Sequence, residues 1–399
     1  MISMKTTSDY WFTIEPYVFV GLTNKRVLLY NTLDGVIIES DKGEVVELLR
    51  ETLQVENCGV VLLTNERYKQ KNVNGFIREL REKYMGDVID VALSKGKPVQ
   101  LLPYFNFPDK HEIYKKHNFS SLKNVLENLS EISIHVDVTT DTTKLILFLQ
   151  SIPGSPTFNI IGNIRELINY SEILSCFEQC PSPKNILCSY KNVIALQPVF
   201  GNNFNYRISV DFPMDWQQWN LSRQILVNQT LPVEYVFNVT SDEDCLQVEH
   251  LVEQFSIENY RLNPVYTGNN ILFFEKNVFL TKEDILSTPM TIKDFFTRQA
   301  MNIYDFGKIN IMQNGDVYAN LDHPVLGNIN TDSIYEIVHK EVEEGQSWFR
   351  VRNQAPCTDC VYQWLCPPPS NYEIAIGRPN LCHVKNKGDT SAITGAFQK

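Results

Sequence analysis

The chain has 399 residues, which is enough for two or three domains with a large core. Its 36 Lys and Arg against 47 Asp and Glu give a net charge of −11, and the lack of a basic tract argues against binding to nucleic acid or to an anionic membrane. No apolar run is long enough for a transmembrane helix, and the N-terminus lacks the pattern of a signal peptide. We therefore expect a soluble, cytoplasmic protein whose cysteines stay reduced.

Residues 10–90 are predicted to form a small α+β module. Three short apolar runs within residues 17–40 are typical of strands, and Asp34-Gly35 is a hairpin signal between two of them. The elements expected next are a helix at 43–53, a strand at 60–64 and a helix at 73–84. The last helix is amphipathic, with Leu80 and Tyr84 on its apolar face. Either this module has no ligand, or one of its strand edges accepts an extended peptide.

A bridge at residues 91–130 leads from this module to a periodic region at 131–280. Six apolar runs there start 21 to 27 residues apart, with helical stretches between them. The runs begin at residues 132, 158, 185, 206, 233 and 260. This spacing indicates repeats of a strand, a crossover helix and a parallel strand, so the predicted fold class is α/β with a partial (β/α)6 barrel. Ligands of such barrels bind at the carboxyl ends of the strands.

Residues 281–385 are predicted to form a C-terminal domain with a hairpin at Asn314-Gly315, and residues 386–399 a frayed tail. Four cysteines follow the hairpin with the spacing Cys-x2-Cys-x5-Cys-x15-Cys. They are Cys357, Cys360, Cys366 and Cys382. Four thiolates at short spacings are what an iron–sulfur cluster or a structural zinc ion needs.

The spacing of the four cysteines partly distinguishes an iron–sulfur cluster from a zinc ion. Common zinc folds pair two short knuckles, and only one is present here, so the pattern favours a [4Fe–4S] cluster over zinc. Zinc stays open as the alternative metal, as do unrelated thiols or disulfides. His383 is an alternative to Cys382 as the fourth ligand.

Residues 130–384 resemble a radical SAM enzyme with a C-terminal SPASM domain. The resemblance rests on the six-unit partial barrel, on the motif Gly-x-Ile-x-Ile-x3-Gly-Asp-Val-Tyr that begins at Gly307, and on the Cys-x2-Cys-x5-Cys run with its distant fourth cysteine. Residues 10–90 are similar to a RiPP recognition element, the clamp that holds the leader of ribosomally made peptides. The whole chain looks like the pseudo-radical-SAM/SPASM proteins of Bacteroidales-type peptide-maturation systems.

Departures from the family pattern decide the expected activity. The resemblance calls for Cys-x3-Cys-x2-Cys after the first barrel strand, but residues 135–144 read HVDVTTDTTK. SPASM domains usually continue as Cys-x2-Cys-x5-Cys-x3-Cys, and here the last position is Ser370. The resemblance therefore implies that the S-adenosylmethionine cluster and the first auxiliary cluster are lost. The four cysteines named above match the ligand set of the second auxiliary cluster, and no catalytic residue is expected.

The resulting expectation is a catalytically inactive partner that forms a heterodimer with a true radical SAM peptide maturase. In this interpretation residues 10–90 bind the leader of a precursor peptide. Two other classes stay open. One is an enzyme that uses the barrel for non-radical chemistry, with His135, Asp137 or Asp211 at strand ends. The other is a zinc-stabilised binding protein without a maturase partner.

Overall fold

The computed structural model describes residues 8–100, 122–196, 204–229 and 231–384. The strands in these residues are β1 (Tyr10–Ile14), β2 (Val18–Leu22), β3 (Val27–Asn31), β4 (Ile37–Ser40), β5 (Val60–Leu63), β6 (Gly86–Asp90), β7 (Glu131–Val136), β8 (Thr157–Gly162), β9 (Lys184–Ser189), β10 (Asn205–Asp211), β11 (Val233–Val239), β12 (Tyr260–Pro264), β13 (Lys308–Ile311), β14 (Asp316–Tyr318) and β15 (Gly327–Asn328). The predicted tail at 386–399 and residues 101–121 of the predicted bridge lie outside the described residues.

The α-helices range from single turns to 14 residues. They are α1 (Gly43–Thr52), α2 (Asn65–Tyr68), α3 (Lys71–Glu82), α4 (Leu122–Glu127), α5 (Thr142–Gln150), α6 (Tyr170–Gln179), α7 (Val193–Leu196), α8 (Trp216–Gln229), α9 (Asp242–Phe255), α10 (Ile271–Asn277), α11 (Lys282–Leu286), α12 (Ile292–Ala300), α13 (Ile334–Glu344) and α14 (Asn371–Ile376). Helices and strands alternate through the middle of the chain, so the chain is an α/β protein.

The N-terminal strands form two antiparallel sheets, with the orders β5-β1-β6 and β2-β3-β4. The second sheet is the meander predicted within residues 17–40, and its turn uses Gly35 at φ +78°, where a side chain would be strained. The apolar faces of α1 and α3 pack with both sheets in one core. The expectation for Tyr84 is wrong: α3 ends at Glu82, and Tyr84 is 79% exposed.

The third sheet has nine strands in the order β12-β11-β10-β9-β8-β7-β13-β14-β15. All six strands predicted between residues 131 and 265 are present as β7 to β12, and they pair in parallel. β13 continues the sheet parallel to β7, and the predicted hairpin then returns as β14. The carboxyl ends of β7 and β13 therefore lie side by side.

The two faces of this sheet differ in polarity. Alternate residues such as Ile134, Ile160 and Ile186 are at most 1% exposed and pack with the helices in one apolar core. On the opposite face Asn159 donates to Glu131 (2.6 Å), and Asn185 donates to Asn159 (2.7 Å). Side-chain hydrogen bonds thus satisfy polar groups that strand alternation directs away from the helices.

The N-terminal sheet β2-β3-β4 packs directly on the segment that contains the cysteines. Phe19 of β2 stacks on Phe295 of α12, with ring centroids 4.0 Å apart. A Cβ atom added to Gly21 would lie 2.4 Å from the carbonyl oxygen of Val361, one residue after Cys360. Glycine at this position therefore permits the close approach of β2.

Glu39 of β4 forms a polar link across the same interface. Its carboxylate accepts from Lys282 (2.6 Å), from the Tyr362 hydroxyl (2.7 Å) and from Arg26 (2.9 Å). Burial by itself raises the pKa of Glu39, but these donors lower it more, so the pKa lies below the ordinary value of 4.5. The ionised carboxylate is the form that holds the two parts together.

Two glycine substitutions should change stability in opposite directions. Gly21→Ala should lower the free energy of unfolding by about 1–3 kcal/mol, because the new methyl group overlaps a backbone carbonyl that cannot turn aside. Gly75→Ala is the matched control: Gly75 lies in α3 with nothing within 4 Å of a new Cβ, and the change should raise that free energy by about 0.5–1 kcal/mol. Urea unfolding curves measure both, and two shifts of the same sign would contradict the packing described.

The Glu39 link should make stability depend on pH. Because the folded-state pKa is lowered, the stabilisation is present above the unfolded value near 4.5 and is lost as the pH falls through the folded value. We expect Glu39→Gln to cost about 1–3 kcal/mol at pH 7, and much less once the pH has fallen below the folded-state pKa, where both side chains are uncharged. Glu249→Gln, at an exposed position of α9, is the control and should leave the wild-type profile unchanged. An equal cost of Glu39→Gln at all pH values would contradict an ionic link.

Candidate metal centre

The four predicted cysteines lie on two segments of the C-terminal region. Cys357 opens a single 3-10 turn, and the N–H of Cys360 donates to the Cys357 carbonyl (3.1 Å). Cys366 follows six residues later in the same apolar cluster that receives the N-terminal sheet. Cys382 comes from a separate segment, which forms a parallel β-bridge with Leu280. Cys382 lies near enough to the first three cysteines for its charge to act on their thiols.

Cys357, Cys360 and Cys366 are thiols whose pKa values respond to burial and to the charge of Cys382. Burial raises the pKa of Cys357 and Cys360, and that of Cys366 to about 12. The charge of Cys382 adds to the rise at each of these three thiols. Without a metal they are therefore protonated at neutral pH, whereas a bound metal would deprotonate them outright.

The donor set fits an iron–sulfur cluster in its chemistry, since soft thiolates are the ligands of such clusters and of zinc. In the part of the chain that the structure describes, no group of three or more His, Cys, Asp or Glu side chains is close enough to hold a single metal ion. His383, the alternative fourth ligand, has its Nε2 2.7 Å from the carbonyl oxygen of Glu275. Asn380 donates to the sulfur of Cys382 (3.2 Å).

The loop after Cys366 is rich in acceptors and poor in donors, because Pro367, Pro368 and Pro369 have no N–H. Side chains from elsewhere supply the missing donors. Arg352 donates to the carbonyls of Pro367 and Pro368, Asn302 donates to that of Pro369, and Arg350 donates to that of Ser370. Arg298 donates to the carbonyl of Leu365, the residue directly before Cys366. The sequence analysis did not predict these donors. The three prolines indicate that the loop lacks N–H groups, but they do not indicate which side chains will donate to its carbonyls.

Arg352 joins this loop to a cysteine. Its side chain is 7% exposed, and its Nη1 lies 2.9 Å from Oε1 of Glu373 and 3.8 Å from Sγ of Cys357. The positive charge of Arg352 opposes the burial effect that raises the pKa of Cys357. One guanidinium therefore contacts the loop, a carboxylate and a thiol at once.

A polar network lies beside Ser370, the position at which the family resemblance expects a cysteine. Asn320 donates to Asp305 (3.2 Å) and to Asn371 (2.7 Å), and Arg350 donates to Asp305 (3.3 Å). Asp305 and Asn320 are buried. Burial raises the pKa of Asp305, while Arg350 and Asn320 oppose that rise. Ser370, the residue at the missing cysteine position, is next to Asn371 of this network.

The carboxyl end of β7 carries a different arrangement. His135 lines a cavity of about 200 Å³ together with Lys144 and Asn314. Its Nε2 is buried without a hydrogen-bond partner among the described residues, and burial lowers its pKa. Asp137 instead accepts from Thr139 (2.6 Å) and does not line this cavity. Asp211, likewise not among the lining residues, accepts from Asn238 (2.6 Å).

The other five cysteines lie away from this centre in the sequence and in the fold. Cys176 and Cys180 belong to α6 and the residue after it, Cys188 is buried in β9, Cys245 packs against the core and Cys58 is exposed. All nine cysteines are among the described residues, and all are free thiols.

No known protein family and no curated protein matches this sequence. Among solved structures, native anSMEcpe with bound AdoMet and Kp18Cys peptide is similar over 59% of this chain and 88% of its own, with 12% identity and a TM-score of 0.42. Native anSMEcpe with bound AdoMet and Cp18Cys peptide gives the same identity and coverage, with a TM-score of 0.41. A histidine-tagged form of anSMEcpe with bound AdoMet follows at 12% identity, covering 59% of this chain and 84% of its own, with a TM-score of 0.40. The protein in these structures is an anaerobic sulfatase-maturating radical SAM/SPASM enzyme.

None of the helices in the described residues combines the length and the apolar character that a membrane crossing needs.

Proposed function

We propose that this chain is a catalytically inactive radical-SAM-like protein that binds one [4Fe–4S] cluster and assists a true radical SAM peptide maturase in the cytoplasm. The observation that carries the proposal is a contrast within the chain. Residues 135–144, at the end of the first strand of the large sheet, contain no thiol, whereas Cys357, Cys360, Cys366 and Cys382 keep the spacing of a four-thiolate site, and Cys382 lies near enough for its charge to act on the other three. A ligand set kept at one place and missing at another is what an accessory protein derived from an enzyme would retain.

The domain layout that we propose follows the predicted boundaries. Six parallel strands with crossover helices support a partial (β/α)6 barrel at residues 131–280. The hairpin, α13 and the cysteine loop support a SPASM-like domain at 281–385. The buried network around Asp305 supports the loss of the first auxiliary cluster, because hydrogen-bonded side chains fill the space beside Ser370, where the resemblance expects a cysteine.

The four cysteines would hold the cluster through one thiolate on each iron, which leaves no iron open to a substrate. Such a cluster supplies structural bracing or relays electrons. Arg298 and Arg352, buried beside the loop, would offset part of its negative charge.

Leader binding is proposed for the module at residues 10–90. Its two sheets have edge strands, and strand addition at such an edge would hold an extended peptide through main-chain hydrogen bonds. Since β2 and β4 contact the cysteine segment, peptide and cluster would be held on neighbouring parts of the molecule.

The cluster proposal predicts a specific loss on cysteine replacement. Anaerobically purified protein should be brown, absorb near about 400 nm and contain about four irons per chain. Cys360→Ser and Cys366→Ser should each lose most of the iron and lower the stability of the C-terminal region, because metal binding contributes to folding. Cys245→Ser, at a partly buried thiol of α9, is the matched control and should keep the iron. Colourless wild-type protein with one zinc per chain would contradict the cluster.

The partner proposal predicts a complex and a dependence. Co-expression with the radical SAM protein encoded nearby should yield a co-purifying heterodimer, and modification of the precursor peptide should stop when this chain is omitted. The isolated chain should not cleave S-adenosylmethionine, because residues 135–144 supply no thiolate for the required cluster. Cleavage by the isolated chain would show that it is itself an enzyme, and full modification in its absence would remove the accessory role.

A further inference from the structure

We propose that Arg352 and Glu373 form a charge pair that sets the reduction potential of the cluster, with Arg352 raising the potential and Glu373 lowering it. This inference rests on the proposed four-iron cluster at the four cysteines. It assigns a tuning role to two buried residues outside the ligand set.

The first step is that the Arg352 guanidinium has a fixed orientation. Its Nε donates to the carbonyl of Pro367 and its Nη2 to that of Pro368 (3.4 Å). These bonds fix the plane of the fork and direct Nη1 towards Cys357, whose sulfur lies 3.8 Å away. A planar guanidinium with several donors can hold such a geometry, whereas a lysine ammonium cannot.

The second step concerns charge. One-electron reduction adds a negative charge to a cluster that already has four thiolate ligands, without making or breaking a bond. A buried positive charge beside one of these sulfurs favours the reduced state, and an N–H donor to the sulfur acts in the same direction. Arg352 supplies both at Cys357, and its side chain is only 7% exposed, so water screens it little.

The third step is that Glu373 opposes this effect through the same atom. Its Oε1 lies 2.9 Å from Nη1 of Arg352, and its side chain is 5% exposed. The N–H of Ser370 also donates to Glu373 (2.6 Å), which holds the carboxylate at the start of α14. The negative charge of Glu373 thus cancels part of the field that Arg352 exerts on Cys357.

The fourth step is that the residues proposed to tune the potential lie at a cleft open to solvent. Cys357, Arg352 and Glu373 line a cleft of about 680 Å³, whose walls include the exposed residues Asn353 and Gln354. The Cys357 side of the cluster would therefore border a cleft that an electron donor can enter. Control of the potential at this corner suits an electron relay better than a purely structural brace.

The test is a redox titration of the full-length, brown protein with dithionite, followed by its absorbance and by the electron paramagnetic resonance signal of the reduced cluster. Arg352→Gln should shift the midpoint potential to more negative values. Glu373→Gln should shift it to more positive values, because Arg352 is then uncompensated. Arg352→Lys keeps the charge and should shift less than Arg352→Gln. Arg165→Gln, next to Tyr170 and away from the cysteines, is the control and should leave the potential unchanged.

Opposite shifts of the midpoint potential in Arg352→Gln and Glu373→Gln distinguish tuning from a structural role. If the two residues had only a structural role, both variants would lose iron, and their potentials would not move in opposite directions. Iron-loaded variants whose potentials match that of the wild type, or shift in the same direction, would overturn this inference while leaving the cluster proposal intact. Wild-type protein without iron would instead overturn the proposed function. If Arg352→Gln does not retain iron, Glu373→Gln decides the matter: a positive shift supports the inference and no shift overturns it.

Discussion

Burial of sulfur is the constraint on which the C-terminal region depends, because a thiolate in a protein interior loses the solvation that water would give it. Burial, and to a smaller extent the neighbouring cysteine charges, raise the pKa values of Cys357, Cys360 and Cys366, so these thiols are protonated when no metal is bound. A metal cluster removes this penalty by taking the protons' place. The buried guanidinium of Arg352 acts in the same direction from outside the ligand set. The surroundings of the site are therefore arranged around negative charge.

The loop of Pro367, Pro368 and Pro369 is held by the same side chains that place positive charge near the thiols. A segment without N–H donors cannot join a helix or a sheet, so its carbonyls depend on side chains for hydrogen bonds. The donors come from α12 and from the segment just before the first cysteine, and two of them are arginines that lie near the thiols. The same contacts therefore shape the loop and place positive charge beside the sulfurs. On its other side the cysteine segment meets β2 and Glu39, which links it to the N-terminal sheets.

Local pattern explains what the sequence predicted well. The strands of the large sheet are short apolar runs at regular spacing, and each of the six begins within one residue of its predicted start. β1 and β6 were not predicted, because Tyr10–Ile14 and Gly86–Asp90 mix polar and apolar residues and are held as strands by long-range pairing, β1 lying between β5 and β6. Tyr84 was misplaced because the helical period alone does not show that α3 ends two residues earlier. The four cysteines could be predicted from their spacing in the sequence. Arg298 could not be predicted as a donor to the Leu365 carbonyl, because the two residues are 67 positions apart and no local sequence pattern connects them.

The cavity at His135 and the cleft beside Cys357 differ in volume, and this difference bears on whether the protein is an accessory protein or an enzyme. Sites for small-molecule ligands usually enclose about 300–1,000 Å³. The cavity at His135 has about 200 Å³, and it does not include Asp137 or Asp211 among its lining residues, so the carboxylates considered for non-radical chemistry do not meet the imidazole there. Burial lowers the pKa of His135 and so favours its neutral form, and its Nε2, which has no hydrogen-bond partner among the described residues, costs about 1–3 kcal/mol unless water satisfies it. The cleft beside Cys357 has about 680 Å³ and contains the charged pair of Arg352 and Glu373. Volume therefore favours the cleft beside Cys357 over the strand end as a binding site.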